Sequence, residues 1–164
     1  MKELKLTGGE VALVDSTDYD WLDQWNWTVL KTANTSYAVR QTSDSSGARR
    51  TVMMHRVILE TPKGMEADHI NGNGLDNRRE NIRTCTHAQN MCNRVHRATE
   101  KCTSKYKGAQ WYAGKGKWRV SIRFRGKRTH VGYFNSEIEA AEAYDKKAKE
   151  LHGSFASLNF PDNN

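Results

Sequence analysis

The stretch that decides the fold is DHINGNGLDNRRENIR, residues 68–83. Within it, Asn71-Gly72-Asn73-Gly74 supplies residue types that adopt positive φ angles at little cost, and this predicts a tight loop. Shortly afterwards, Thr86-His87-Ala88-Gln89 has the Thr-x-x-Gln spacing of a capping box and predicts a helix that runs to about Arg97. The predicted order of elements is therefore strand, polar loop, helix.

The side chains around this loop suit phosphodiester hydrolysis, which needs an activated water, a cation on the phosphate and help for the departing oxygen. A neutral imidazole accepts a proton from water near pH 7, so His69 is the candidate general base. Asp68 and Asn90 offer a carboxylate and an amide oxygen, the hard donors that Mg²⁺ accepts. Because neighbours on an extended strand point to opposite faces, the strand must bend or end at Asp68-His69 for both to serve one site.

These segments resemble the HNH homing endonucleases of phages and mobile introns. The matching residues are His55-Arg56, 68–73, 75–83 and 89–93. The resemblance implies the ββα-metal, or His-Me finger, fold, with His69 as general base and Asn81 as the central asparagine that closes the loop and positions His69. It implies that Asn90 is the metal ligand beside Asp68, and that the cofactor is one Mg²⁺ or Mn²⁺ ion.

Other polar residues of this region have alternative interpretations. Asn71 and Asn73 are interpreted as turn residues only. Asn77 is a candidate for closing the loop, and His55 either supports its strand or contacts a phosphate. Arg83 and Arg94 lie nearest the motif and are predicted to contact DNA phosphates, with solvated surface charges as the alternative.

The net charge of +7 is concentrated in the C-terminal part of the chain. Residues 1–100 hold 13 Lys and Arg against 13 Asp and Glu, whereas residues 101–164 hold 13 against 6. A folded face with this excess attracts a polyanion, and counterion release makes such binding salt-sensitive. A solvated face that serves only solubility is the alternative.

Residues 104–160 resemble the DNA-binding domain of plant ethylene-response factors. The matching segments are 104–108, 116–119, 128–134, 139–145 and 158–160. The resemblance implies a three-stranded antiparallel sheet that lies in the DNA major groove, with one helix packed behind it. It places five residues at DNA-contacting positions: Lys107, Gln110, Arg123, Arg128 and His130.

Local patterns agree with that arrangement. They predict strands at 106–112, 117–124 and 127–134, and a helix Glu137 to Leu151 capped by Ser136. Since strand side chains alternate, Arg119, Arg123 and Arg125 should share one basic face of the middle strand, opposite its apolar face. Trp118 is expected in the core, whereas Trp111 is left open between core and sugar contact.

The fold class predicted for the whole chain is α+β. A ββα-metal nuclease module with preceding small strands spans residues 1–98, with its motif core at 52–98. Residues 99–105 form a linker, and residues 106–160 form the three-stranded sheet with its helix. Near the N-terminus, Ser16 is predicted to cap a short helix at 17–25 whose Trp21, Leu22 and Trp25 face the core.

Composition narrows the cofactors, the partners and the compartment. Three cysteines without a Cys-x-x-Cys pair predict free thiols and no structural zinc. No secretory signal or membrane-spanning run is found, so we expect an intracellular protein, in the cytoplasm of a bacterial or phage-infected host, with no membrane partner.

The function predicted from these patterns is a metal-dependent endonuclease that cuts or nicks double-stranded DNA, acting as a monomer on DNA, with a dimer as the alternative. A non-catalytic, sequence-specific DNA-binding protein with a nuclease-like half is the rival hypothesis.

Overall fold

A computed structural model of the chain describes residues 1–93 and 102–161. The chain divides into two compact units, Met1–His87 and Ala88–Asn164. Every sheet in the described part is small and antiparallel, and the helices are few and mostly short. This confirms the predicted α+β class. No described helix has the length and apolar character needed to cross a membrane.

The first unit contains three antiparallel sheets with short helices between them. The sheets are β1–β2, β3–β4–β5 and β6–β7. Their strands are β1 Lys2–Lys5, β2 Val11–Val14, β3 Thr28–Lys31, β4 Ser36–Ser43, β5 Arg49–Met53, β6 Glu66–His69 and β7 Ile82–Cys85. The helices are α1 Ser16–Leu22 and α2 Met54–Ile58, and α3 His87–Asn93 follows β7.

One apolar core serves all three sheets of this unit. Its buried members are Leu4, Leu6, Ala12, Val14, Leu22, Trp27, Ala38, Met54, Ile58 and Ile82. Burial of a large apolar side chain stabilises the fold by about 1.5 to 3 kcal/mol. The indole N–H of Trp27 donates to the Leu22 carbonyl at 2.9 Å, so this ring is buried without an unpaired donor.

Helix α1 is shorter than the sequence predicts. It ends at Leu22, and its N-cap is Asp15, whose side chain makes no capping hydrogen bond, so the predicted Ser16 cap is wrong. Leu22 is buried as expected, but Trp25 lies beyond the helix with 48% of its surface exposed. The Arg40 guanidinium lies 4.1 Å from the centre of the Trp25 ring, which explains how an indole is accommodated at the surface.

The second unit holds one three-stranded antiparallel sheet in the order β10–β9–β8. Its strands are β8 Ala109–Tyr112, β9 Lys117–Phe124 and β10 Lys127–Phe134, and helix α4 spans Glu137–His152. The bounds of β9 and β10 match the prediction, while β8 begins later than predicted. Ser136 caps α4 as predicted, and together with Glu139 it forms a complete capping box.

Helix α4 packs closely on this sheet. Ala140, Tyr144 and Ala148 are buried against Val120 and Ile122. Behind the helix, the Asp145 carboxylate accepts hydrogen bonds from the backbone N–H groups of Asn159 and Phe160, both at 2.8 Å. The segment after α4 is therefore held against the helix.

Gly108, just before β8, touches the same helix. A Cβ atom at this position would lie 1.9 Å from Cδ2 of Tyr144. Gly108 also has a φ of +80°, which L side chains rarely adopt. The approach of β8 to α4 therefore requires glycine here.

Candidate active site

The candidate catalytic residues lie at the end of the β6–β7 hairpin. In its register, Asp68 pairs with Arg83 and His69 pairs with Ile82. Strand β6 ends at His69, which meets the requirement that the extended chain stop at the Asp68-His69 pair. Asp68 and His69 are 8% and 5% exposed, so both polar side chains are held inside the protein.

Asn81 closes the loop that joins the two strands. Its side-chain Oδ1 accepts from the Asn71 backbone N–H at 3.0 Å, and its Nδ2 donates to the Asp76 carbonyl at 2.8 Å. The Asn81 carbonyl also accepts from the Ile70 N–H at 2.8 Å. One amide therefore cross-links both arms of the loop.

The side chain of Asn77 is fully buried and pairs with the His69 ring. Asn77 Oδ1 lies 3.3 Å from His69 Nε2. Because an amide oxygen only accepts, this pairing places the imidazole proton on Nε2 and the lone pair on Nδ1. The Asn77 Nδ2 group has no hydrogen-bond partner within residues 1–93 and 102–161. The resemblance predicted that Asn81 positions His69 and left Asn77 as a candidate for closing the loop. The residue pattern alone does not distinguish the two asparagines.

Burial lowers the pKa of His69 below its usual value of 6.5. The hydrogen bond that His69 donates to Asn77 and the negative charges of Asp68 and Asp76 oppose this shift without reversing it. His69 is therefore a neutral imidazole at pH 7, the form that accepts a proton.

Two further rings pack around His69. The His55 and His69 rings meet edge to face, with centroids 4.5 Å apart, and the Tyr37 ring lies 5.8 Å from His69. Burial, helped by the neighbouring His69 and Arg56, lowers the pKa of His55 to about 3. His55 is buried, and its Nδ1 has no partner in the described part of the chain. These contacts favour the supporting role for His55 over a phosphate contact.

The Asp68 carboxylate is paired with Arg83. Arg83 Nη2 and Nε lie 2.9 and 3.1 Å from Asp68 Oδ2. A carboxylate is the oxygen donor that Mg²⁺ prefers, so the chemistry of Asp68 fits such an ion. No group of three His, Cys, Asp or Glu side chains in the described residues is placed to hold a metal. Mg²⁺ is usually bound in proteins through one or two carboxylates and keeps several waters.

The loop between β6 and β7, residues 70–81, is held by the N-terminal part of the same unit. Arg79 Nε and Nη2 each lie 2.8 Å from the Asp18 carboxylate, and the Arg79 N–H donates to Asp15 Oδ2 at 2.7 Å. The Leu13 N–H donates to the Leu75 carbonyl at 2.9 Å, and the Leu13 carbonyl accepts from the Asn77 N–H at 2.7 Å. These bonds fix the backbone of Asn77, and with it the amide that contacts His69.

Two predicted site residues, Asn90 and Arg94, come after the first unit in the chain. Asn90 is on α3, in the second compact unit, and its role as a metal ligand stays a prediction. Arg94, the end of the predicted helix near Arg97, and much of the predicted linker fall in residues 94–101, outside the described residues.

In the second unit, five of the predicted DNA-contacting residues share the face of the sheet opposite α4: Gln110, Arg119, Arg123, Arg128 and His130. The register pairs Gln110 with Arg119, Arg123 with Arg128, and His130 with Ser121. Their β9 neighbours Val120 and Ile122 are buried against α4, so alternation turns Arg119, Ser121 and Arg123 outward. We call the outward residues Gln110, Arg119, Ser121, Arg123, Arg128 and His130 the basic face.

Some predicted placements in this unit differ. Arg125 lies in the turn after β9 with a φ of +48°, so its expected position on the middle strand is wrong. Lys107 Nζ donates to the Cys92 carbonyl at 3.0 Å. Trp111 packs edge to face on Trp118, at 5.3 Å between ring centroids, but 42% of its surface is exposed, so it lies at the edge of the core.

A family model and several known proteins match all or part of this chain. The model of the HNH endonuclease family matches residues 52–92. Protein 3.8 of Escherichia phage T7 is 32% identical over 95 residues, which cover 58% of this chain and 76% of the phage protein. The uncharacterized HNH endonuclease L560 of Acanthamoeba polyphaga mimivirus is 25% identical over 151 residues, covering 92% of this chain and 75% of the viral protein.

Plant proteins also match part of the chain. Dehydration-responsive element-binding protein 2A of Oryza sativa subsp. indica is 46% identical over 50 residues, 29% of this chain. The chain spans only 18% of that rice protein's length. No solved structure gives a significant match.

Proposed function

The chain belongs to the family of Protein 3.8 of Escherichia phage T7 and contains an HNH endonuclease domain at residues 52–92, and from this premise we propose that it is a metal-dependent DNA endonuclease of the homing type. Double-stranded DNA is its proposed substrate, and it acts inside the cell as a monomer that nicks or cuts. The observation that carries the proposal is the buried, neutral His69 held by Asn77 beside the Asp68 carboxylate.

His69 acts as the general base in this proposal. With its proton on Nε2 and donated to Asn77, the lone pair on Nδ1 accepts the proton of the attacking water. Asp68 and Asn90 would hold one Mg²⁺ or Mn²⁺ ion. When bound, that ion supplies positive charge to the phosphate and to the departing 3′ oxygen. Asn81 keeps the loop closed so that Asn77 stays in place.

DNA binding is assigned to both units. The basic face would contact the DNA major groove in the manner of the ethylene-response-factor domain. Lys107 and Arg125, which are close to its residues in sequence, would contribute to the same interface. The partial match to a plant protein named as an element-binding protein supports this assignment. Arg83 and Arg94 would contact phosphates near the scissile bond.

The second candidate function is a non-catalytic DNA-binding protein that keeps a nuclease-like half. The Asp68–Arg83 ion pair favours it, because the proposed metal-binding carboxylate already has a positive partner. Completeness of the motif, with Asp68, His69, Asn81 and Asn90 all present, favours the enzyme.

Cleavage of supercoiled plasmid DNA in the presence of Mg²⁺ tests the proposal. Wild type should produce nicked or linear plasmid, and His69→Ala should lose this activity while still binding the plasmid. His87→Ala is the matched control, because His87 is an exposed histidine whose Nδ1 pairs with Glu66 of the hairpin. Binding without cleavage by the wild type, with either Mg²⁺ or Mn²⁺, would establish the non-catalytic alternative.

A further inference from the structure

Tyr37 lies outside the segment that the HNH family model matches, yet its ring is part of the candidate active site. The ring centroid lies 5.8 Å from His69 and 5.7 Å from His55. His69 therefore receives aromatic contacts from two separate elements, strand β4 and helix α2. Of the two rings, only Tyr37 comes from the strands that precede the family match.

The loop between β6 and β7 also packs directly on the start of β4. A Cβ atom at Gly74 would lie 2.4 Å from the Ser36 carbonyl oxygen and 2.6 Å from Cδ1 of Tyr37. The Gly74 N–H donates to the Thr35 hydroxyl at 3.0 Å. The same loop carries Asn77, so the ring of Tyr37 and the amide that holds His69 belong to one packed assembly.

The position of Tyr37 is fixed by its sheet. Tyr37 pairs with Leu30 of β3, and its neighbour Ala38 points to the opposite face, where it is fully buried in the core. The backbone that carries the Tyr37 ring is therefore anchored by the buried Ala38, since close-packed interiors resist displacement. Burial, assisted by the negative charge of Asp68, raises the pKa of the Tyr37 hydroxyl.

We propose that Tyr37 is a positioning residue for His69, its ring holding the imidazole in the orientation for proton transfer together with Asn77. This inference rests on the proposed nuclease function and gives the strands before residue 52 a part in it. Small displacements of catalytic groups, of about 1 Å, lower rates by about 100-fold. The role belongs to the ring, so phenylalanine should replace tyrosine.

Single-turnover cleavage and DNA binding by three variants of the full chain test the proposal. Tyr37→Phe should keep the wild-type rate within about 3-fold, whereas Tyr37→Leu should lose about 10- to 100-fold in rate with unchanged DNA affinity. Tyr19→Leu is the matched control, because Tyr19 packs on the core of the same unit. It should retain the wild-type rate. If Tyr37→Leu does not fold, Tyr37→Met replaces it, since methionine fills irregular space without a ring.

A second readout does not depend on cleavage. The imidazole nitrogen-15 NMR signals of His69 report its tautomer and its hydrogen bond to Asn77 and respond little to the ring current of a neighbouring ring. Recorded at one fixed pH without metal, they should move in Tyr37→Leu and stay nearly in place in Tyr37→Phe and Tyr19→Leu. If wild type fails to cleave DNA, the proposed function falls, while these signals still decide the positioning role. Unchanged His69 signals or an unchanged rate in Tyr37→Leu would overturn the inference, as would an equal loss in Tyr19→Leu.

Discussion

Arg83 and Asp68 sit opposite each other across the β6–β7 hairpin, and both guanidinium contacts, at 2.9 and 3.1 Å, reach the same oxygen, Asp68 Oδ2. Arg83 is thus bound to the carboxylate that we propose as a metal ligand. In that proposal, a divalent ion and this guanidinium would compete for one negative charge. The competition makes the effect of removing Arg83 predictable.

Arg83→Gln should lower the Mg²⁺ concentration that gives half-maximal cleavage, because a competing cation is removed from Asp68. The same variant should weaken DNA binding by about 1 kcal/mol if Arg83 turns to a phosphate in the complex. Mg²⁺ titrations at saturating DNA, and DNA titrations at saturating Mg²⁺, separate the two effects. A higher Mg²⁺ requirement in the variant would show that Arg83 helps to organise the metal site.

Acid should destabilise the first unit through His55. The pKa of His55 is about 3 in the folded protein, below the unfolded value of 6.5. The stability that the neutral His55 contributes to the folded state is therefore fully present above pH 6.5 and is lost as the pH falls toward 3. The slope from one such group is at most about 1.4 kcal/mol per pH unit, and His69, whose pKa is also lowered, acts in the same direction.

Urea unfolding between about pH 7.5 and about pH 5 measures this dependence. His55→Leu should show a shallower loss of stability on acidification than the wild type. Parallel curves for the two proteins would mean that His55 is not responsible.

The basic face should make DNA binding sensitive to salt, through Arg123 in particular. If Arg123 recognises a guanine, Arg123→Ala should cost about 1 to 3 kcal/mol on the preferred sequence only. If it contacts phosphate, the variant should weaken all sequences alike and reduce the salt slope by about 1. Binding measured between ~50 and ~200 mM salt distinguishes the two. Lys146→Ala is the control, since Lys146 is exposed on α4, behind the sheet, and it should bind as wild type does.

Gly108→Ala should destabilise the second unit by about 2 to 4 kcal/mol, because the new methyl group collides with Tyr144 and the backbone conformation is strained. Gly116→Ala separates the two causes. Gly116 also has a positive φ, of +59°, but open space around its Cβ position. Its substitution should cost only the strain, about 1 kcal/mol. Equal losses in the two variants would remove the steric argument.

Much of the second unit follows from local patterns. The alternation of side chains along β9 alone places Arg119 and Arg123 on the face opposite to that of Val120. Ser136 followed by Glu139 has the capping-box spacing that predicts the start of a helix. Arg125 was misplaced because the tight turn that ends β9 needs a positive φ there, which the alternation does not reveal.

The first unit was less predictable because its contacts join distant residues. Asp68 and Arg83 each stand out in the sequence, but their pairing depends on the register of a hairpin whose loop length no local rule fixes. Tyr37 gave no signal at all, since one tyrosine on a strand is ordinary. Asn77 and Asn81 were both candidates for the loop, and only the fold of the chain around His69 separates their contacts.

The bonds from Arg79 to Asp15 and Asp18 bear on how the nuclease half can be transplanted. A graft that began at residue 52, where the family match begins, would leave behind both acidic partners of Arg79, the Leu13 backbone and the Tyr37 ring. The shortest segment that keeps these contacts therefore extends back through β2 and α1. This holds whether the segment is moved by protein engineering or by recombination between genomes. A chimera that contains only residues 52–92 should carry the motif residues but lack the contacts that hold them in place.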